Sequence, residues 1–185
     1  MSLTNLSTPE SGDSSLNLPL SSTETQFLRL DLVAETVVLL PSEKVTQVLT
    51  IAVDRVVSMP HMAPWIIGAY NYRGEILWLV DLGYLIGLKP ISQQARSFSH
   101  YTTTVIQINS EDSISRLLGM VVNRVNSTER CKSGSIKTSS ATPNTEFEEL
   151  VKGYWEKSAT ETLAILDLDL IWQKVVEHPL ANGET

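Results

Sequence analysis

The chain predicts an all-β fold built twice, as two small β-barrel subdomains with short helical turns and a C-terminal helix. One observation is the number of short apolar runs broken by Gly and Pro, which argues for barrels or a sandwich with little helix. The other is an approximate repeat about eighty-five residues apart. Gly68-Ala69-Tyr70-Asn71-Tyr72-Arg73-Gly74-Glu75 leads into Ile76-Leu77-Trp78-Leu79-Val80-Asp81-Leu82. Gly153-Tyr154-Trp155 leads into Thr162-Leu163-Ala164-Ile165-Leu166-Asp167-Leu168, with Leu, an apolar step and Asp-Leu in register. The repeat favours two similar barrels over one sandwich, and barrels leave no sticky edges.

The elements follow in chain order. Residues 1–25 hold eleven Ser or Thr, Pro9, Pro19, three acids and no Lys or Arg, a composition that cannot offset the entropy of ordering. They are expected to be a disordered tail. Gln26 to Leu32 alternates and reads as a half-buried strand, turning at Ala34-Glu35 into a strand Thr36–Leu40 stopped by Pro41. Ser42 to Val45 starts a helical turn into Gln47–Ile51, and Val53 to Val57 reads as another extended segment. Pro60 and Pro64 bracket a loop, with Ala63 biased toward extended geometry. The strand 75–81 then meets an apolar turn, Gly83–Gly87.

Lys89 to His100 is polar and reads as a connector between subdomains at about 26–90 and 100–170. Tyr101 to Ile108 is β-branched and strand-like, Ser110 to Ser115 a turn, and Leu117 to Val125 the next strand. Residues 127–146 read as a long exposed loop, Glu148–Glu156 and Thr162–Leu168 as strands. Asp169 to Val176 has apolar residues at helical spacing, giving a helix over 169–178 before a tail, 179–185.

Composition narrows the function classes. Of 185 residues, 14 are Lys or Arg and 21 Asp or Glu, for a net charge of −7 with no basic run. Nucleic-acid binding needs a Lys/Arg stripe, so no nucleic-acid partner is expected. No apolar run reaches the ~18 residues of a membrane span, and the N-terminus lacks a signal-peptide pattern. One cysteine, Cys131, fits a reducing compartment. A soluble cytoplasmic protein that inserts into no membrane is expected.

Catalytic motifs are missing: there is no GxxxxGK[ST], HExxH, paired CxxC or GxSxG. His61, His100 and His178 lack ligand spacing and read as unrelated surface residues, so neither metal nor cofactor is expected. Cys131 lies between Arg130 and Lys132, which favours a lowered pKa, but reads as a small exposed cysteine without function. Asp81 and Asp167 occupy equivalent strand ends, where helix capping fits better than general acid chemistry. Arg73 has two readings: an exposed guanidinium recognising a carboxylate, or an ion pair holding the turn. Trp78 reads as core, and Trp65 as a weak interface candidate.

At these residues the chain resembles the CheW family of chemotaxis adaptors. The signature V-x-G-x-x-N-x-R-G, a strand, then D-L is matched by Ile66–Gly74, including Asn71 and Gly74, and by Val80-Asp81-Leu82. K-V-x-E-V corresponds to Lys44–Val48, and G-x-x-V-D-x-V to Gly119–Val125. The resemblance spans about residues 26 to 176 of a single domain over 26–178. It implies two five-stranded barrels around a shared hydrophobic core and no catalysis. The implied partners are the regulatory domain of a CheA-type histidine kinase and the cytoplasmic tip of methyl-accepting chemoreceptors, in membrane-associated arrays. The receptor-binding groove carried over comprises Val45, Gln47, Gly68, Arg73, Val105, Gly119 and Val125. Three positions depart from the family: Gln47 for Glu, which removes the charge of an Arg–Glu pair, Trp78 for Pro, and Asn123 for Asp. These departures suggest a branch serving pilus-driven motility. A second reading is a regulatory barrel module binding a small metabolite in the cleft between subdomains.

Overall fold

The computed structural model describes residues 24–94, 99–109, 115–138 and 145–177. The expected disordered tail lies outside them except for Glu24 and Thr25, which belong to the first strand; the 179–185 tail lies outside altogether. Among the described residues eleven strands form two sheets. The first five are β1 (Glu24–Asp31), β2 (Val37–Pro41), β3 (Val45–Ala52), β4 (Ile66–Tyr72) and β5 (Glu75–Asp81), which runs into the one-turn helix α1 (Leu82–Leu85). Then come β6 (His100–Asn109), β7 (Ser115–Val122), β8 (Arg124–Lys132) and β9 (Ile136–Thr138). The short helix α2 (Glu146–Glu149), β10 (Val151–Ser158), β11 (Glu161–Leu166) and helix α3 (Leu168–Glu177) complete the fold.

Strand order is β8-β1-β2-β11-β10-β9 in one sheet and β3-β6-β7-β5-β4 in the other. Both run through the same sequence of pairings. An antiparallel hairpin (β1–β2 or β6–β7) joins a parallel pair (β2–β11 or β7–β5), which joins an antiparallel pair (β11–β10 or β5–β4). The chain is therefore two tandem repeats, β1–β5 and β6–β11, each of which lends its first hairpin to the sheet of the other. The sheets thus do not follow the expected split at residues 90–100.

The echo seen in the sequence extends to irregularities. A register shift falls between Ile66 and Gly68 opposite β5, and another between Val151 and Gly153 opposite β11. The Asp81 N–H donates to the Trp65 carbonyl at 2.8 Å, and the Asp167 N–H to the Leu150 carbonyl at 2.8 Å. Lys137 pairs with Tyr154 in β9–β10, and the isolated bridge Val57–Ala69 holds the matching place beside β4.

Closed barrels do not form. Ala52 ends the edge strand β3, a 3-10 turn at Val53–Arg55 follows, and Val57 already bridges to Ala69 on the opposite edge. In a flat sheet those places would be about 24 Å apart (five gaps of ~4.8 Å), whereas the residues between them span about 13 Å. The sheet must curl, yet β3 and β4 are not hydrogen-bonded neighbours. The 3-10 turn Ser133–Ser135 between β8 and β9 curls the other sheet in the same way.

Alternation within strands feeds three clusters. Leu77, Leu79, Val105 and Val121 fill one curl, and Phe27, Leu39, Cys131, Leu163 and Ile165 the other. The largest cluster lies between the sheets and draws Leu30, Val38 and Leu40 from one, Val80, Ile106 and Met120 from the other, and Ile171 and Val175 from α3. Each fully buried Leu or Ile there is worth about 1.5–3 kcal/mol.

Several boundaries differ from expectation. Val53–Arg55 is a 3-10 turn where an extended segment was expected, and Glu146–Glu149 is helical where a strand was expected to begin. The stretch 127–146 is not simply a loop: it contains most of β8 and all of β9. Its residues 139–144, and 95–98 of the expected connector, lie outside the described residues.

Candidate functional site

Arg73 and Gly74 form a two-residue hairpin between β4 and β5, with Tyr72 opposite Glu75. Both have positive φ, 55° and 88°, as a type I′ turn requires. Arginine is an unusual first residue in such a turn. Asn71 supports it by accepting the Gly74 N–H at 3.0 Å through Oδ1. The Arg73 guanidinium is exposed; Nη2 donates to Gln47 Oε1 at 3.3 Å, and its carbon lies 5.1 Å from the Tyr72 ring centroid. Tyr72 Oη donates to the same Gln47 oxygen at 2.7 Å. Among the described residues Arg73 meets no carboxylate within ion-pair distance. A long bond to a neutral amide is a weak tether, so the guanidinium keeps donors free for an anionic group.

The other residues expected in the groove occupy different positions. Gln47 pairs with Val105, Val105 with Gly119, Gly119 with Leu79, and Leu79 with Gly68. Four of the seven residues thus lie on one row across the five-stranded sheet. Val105 is 0% exposed, and Gly68 and Gly119 are buried. A Cβ on Gly119 would sit 2.6 Å from Leu79 Cδ2, and one on Gly68 2.4 Å from the Val57 carbonyl oxygen. These three residues shape the sheet and offer no side chain to a partner. Val45 and Val125 are half-buried against the central cluster. Only Gln47 and Arg73 of the seven combine a polar group with access to solvent.

The aspartates act on backbone N–H groups. Asp81, 5% exposed, accepts from Tyr84 N at 3.0 Å and from Ile91 N at 2.6 Å, so it caps α1 and ties down the segment beyond it. Burial raises its pKa above the usual carboxylate range, while bonds from Ile91, Tyr84 and Gly83 pull it down. Asp167 caps α3 through Asp169 N at 3.0 Å and Leu170 N at 3.2 Å.

Cys131 is buried rather than exposed, and burial, with Glu129 nearby, pushes its thiol up to about 11; Arg130 and Lys132 do not activate it. Among the described residues no group of His, Cys, Asp and Glu is placed to hold a metal. His178 lies outside the described residues.

An apolar groove of about 460 Å³ runs between β5, β7 and α3, lined by Ile76, Trp78, Leu118, Trp172, Val175 and Val176, with Glu75 and Arg116 among its polar groups. It begins two residues beyond Arg73. Ile76 is 70% exposed and Val176 45%, a large apolar offering for a protein surface. Trp78 is half-buried and faces this groove while packing on the central cluster. Arg116 stacks over Trp172 at 5.8 Å. Sequence reasoning missed the groove, although α3 carries a signal. Leu168, Ile171 and Val175 meet the needs of one buried stripe, which leaves Leu170, Trp172 and Val176 as apolar surplus. Trp65 is half-buried under Lys174, whose Nζ lies 5.8 Å from its ring.

Comparison with known proteins agrees with this geometry. The family model for the CheW-like domain matches residues 26–176. The crystal structure of the scaffolding protein TtCheW from Thermoanaerobacter tengcongensis superposes with a TM-score of 0.64 at 18% identity, covering 79% of this chain and 90% of that one. No curated protein sequence matches. The two interlocked curled sheets, the Asn71-Tyr72-Arg73-Gly74 hairpin and the family match over nearly all the described residues lead to one assignment: the chain belongs to the CheW-like domain family.

Proposed function

We propose that this protein is a non-enzymatic adaptor that couples the cytoplasmic tip of chemoreceptors to the regulatory domain of a CheA-type histidine kinase, in chemotaxis or pilus-motility signalling. It works in the cytoplasm, recruited to membrane-associated receptor arrays. Among the described residues no helix is long and apolar enough to cross a membrane, which fits recruitment through protein contacts. The observation that carries the reading is the exposed apolar groove lined by Ile76, Trp78 and Trp172, on the strand that leaves the hairpin carrying the exposed Arg73 guanidinium. An amphipathic helix laid in that groove buries its apolar stripe, while Arg73, on the adjoining hairpin, offers its free donors to a carboxylate of a partner. Gln47 acts through Arg73, since it tethers the guanidinium without neutralising it. The metabolite alternative finds no support, because the space between the sheets is filled by the central cluster.

The test is co-sedimentation of the full chain with a receptor-tip hairpin and, separately, with the kinase regulatory domain. Arg73→Glu is expected to weaken association at least tenfold with one partner while urea unfolding stays cooperative. Binding of neither partner by the unaltered protein sinks the adaptor reading. Lost folding in Arg73→Glu makes the residue purely structural.

A further inference from the structure

The two curled sheets leave matching gaps between their edges, and the gaps are not treated alike. In the six-stranded sheet β9 pairs with β10 over three residues, and the Lys157–Glu129 ion pair, at 2.6 Å, ties β10 to β8. Arg29 reinforces it, 2.7 Å from Glu161 and 3.8 Å from Glu129. In the five-stranded sheet one backbone bridge, Val57–Ala69, pins one end of the gap, and the Gln47–Tyr72–Arg73 hydrogen bonds pin the other. Between those pins lies a cavity of about 660 Å³ lined by β3 and β4.

The walls of this cavity carry main-chain groups without ladder partners. Ala69 exchanges both its hydrogen bonds with Val57, at 2.9 Å each, so by strand alternation Asn71 also directs its N–H and C=O into the gap. Val53 N–H donates to Ser99 across the β3–β6 pair, so Thr50 and Ala52 face the other way, toward the gap. Ile51 and Tyr70 contribute apolar surface, and both belong to the cluster inside the curl. Arg55 and His100 complete the lining, which contains no carboxylate although the chain has 21 acids and 14 Lys or Arg. Asp54 is adjacent in sequence but is not part of the lining.

We propose that this gap is a docking site for a short acidic segment of extended backbone, which pairs with Asn71, the open residue of the β4 edge between the two pins. Asn71 supplies the main-chain donor and acceptor, Tyr70 and Ile51 take an apolar side chain, and Arg55 and His100 take flanking carboxylates. The site is separate from the Trp78–Trp172 groove and does not depend on the adaptor reading. Charge complementarity selects the occupant. A basic peptide would meet Arg55, and a helix cannot satisfy the edge groups of a strand.

The probe is a blocked three-residue Glu-Val-Glu peptide, matched to the roughly 10 Å between the pins, titrated into the isotopically labelled full chain and followed by amide shifts and hydrogen exchange. Saturable shifts centred on Thr50, Ala52 and Asn71 are expected, with exchange at the Asn71 N–H slowed at least tenfold. Arg55 is exposed, so Arg55→Glu is expected to leave the fold intact and weaken binding at least fivefold. A lysine–valine peptide and a peptide with proline at its centre should each bind at least tenfold more weakly. Equal binding by the lysine peptide overturns the proposal, as do shifts centred on Trp78 and Trp172. The same shifts from free glutamate at similar concentration would make the site a simple anion pocket and also overturn it.

Discussion

Gly68→Ala tests the closure of the five-stranded sheet. Gly68 has φ +153°, a conformation that side-chain-bearing residues avoid, and an added Cβ would lie 2.4 Å from the Val57 carbonyl oxygen and 2.9 Å from its carbon. That neighbour is backbone, so it can yield only by moving Val57 away from β4. Two hydrogen bonds would then be lost, Val57 N to Ala69 O and Ala69 N to Val57 O, both 2.9 Å. At about 1 kcal/mol each, plus about 1–2 kcal/mol of backbone strain, the expected loss is about 3–4 kcal/mol. The internal control is Gly74→Ala, at φ +88° with nothing within 4 Å of the added Cβ, where strain alone should cost about 1 kcal/mol. Urea unfolding of the three proteins measures both, with the midpoint falling and the slope unchanged. If Gly68→Ala costs no more than Gly74→Ala, the bridge does not hold the sheet edge and the reasoning fails.

Asp81→Ala leaves the N–H groups of Tyr84 and Ile91 without their acceptor, at about 1–3 kcal/mol each when buried, whereas Asp167→Ala removes a more exposed cap at about 1 kcal/mol. Denaturant titration of the two variants should give that order. The raised pKa of Asp81 means the folded state holds its proton more tightly than the unfolded state. Relative to Asp81→Asn, the unaltered protein should therefore gain stability as pH falls through the raised folded value toward the ordinary carboxylate value, and lose it as pH rises. A difference that grows with pH instead would contradict burial as the dominant cause. Cys131, buried with its thiol pushed up to about 11, should react with a thiol reagent at neutral pH only as fast as the protein opens. Immediate labelling of the native protein would refute that burial.

The sequence and the fold agree where the signal is local. The Leu77–Leu82 and Leu163–Leu168 segments announced paired strands ending in caps, and their shared register shift at Gly68 and Gly153 follows the same spacing. The exchange of hairpins was not legible, because nothing in β1 or β6 says which repeat holds its partner; pairing is decided by burial across the whole chain. Most of β8 reads as loop in the sequence because only one of its residues, Cys131, is fully buried and the polar remainder looks like a connection. At the candidate site the motif marks the Arg73 turn, whereas Val105, Gly68 and Gly119, expected as contacts, are buried. A motif records which residues a fold requires, and a sheet row requires small or buried residues for packing as strictly as a surface requires charge. The left-handed backbone of Arg73 was also invisible, because Asn or Gly normally marks such turns.

The hairpin exchange between repeats has a consequence for synthesis on the ribosome. The five-stranded sheet is complete once β7 has emerged, but the earlier hairpin β1–β2 must wait for β11, its partner on the β2 side. From Pro41 to Leu166 the ribosome needs on the order of ten seconds, during which Val38 and Leu39 lack their parallel partners Ala164 and Ile165. The nascent protein thus carries β2 without its parallel partner until β11 emerges, and β11 works as the latch that joins the first repeat to the second.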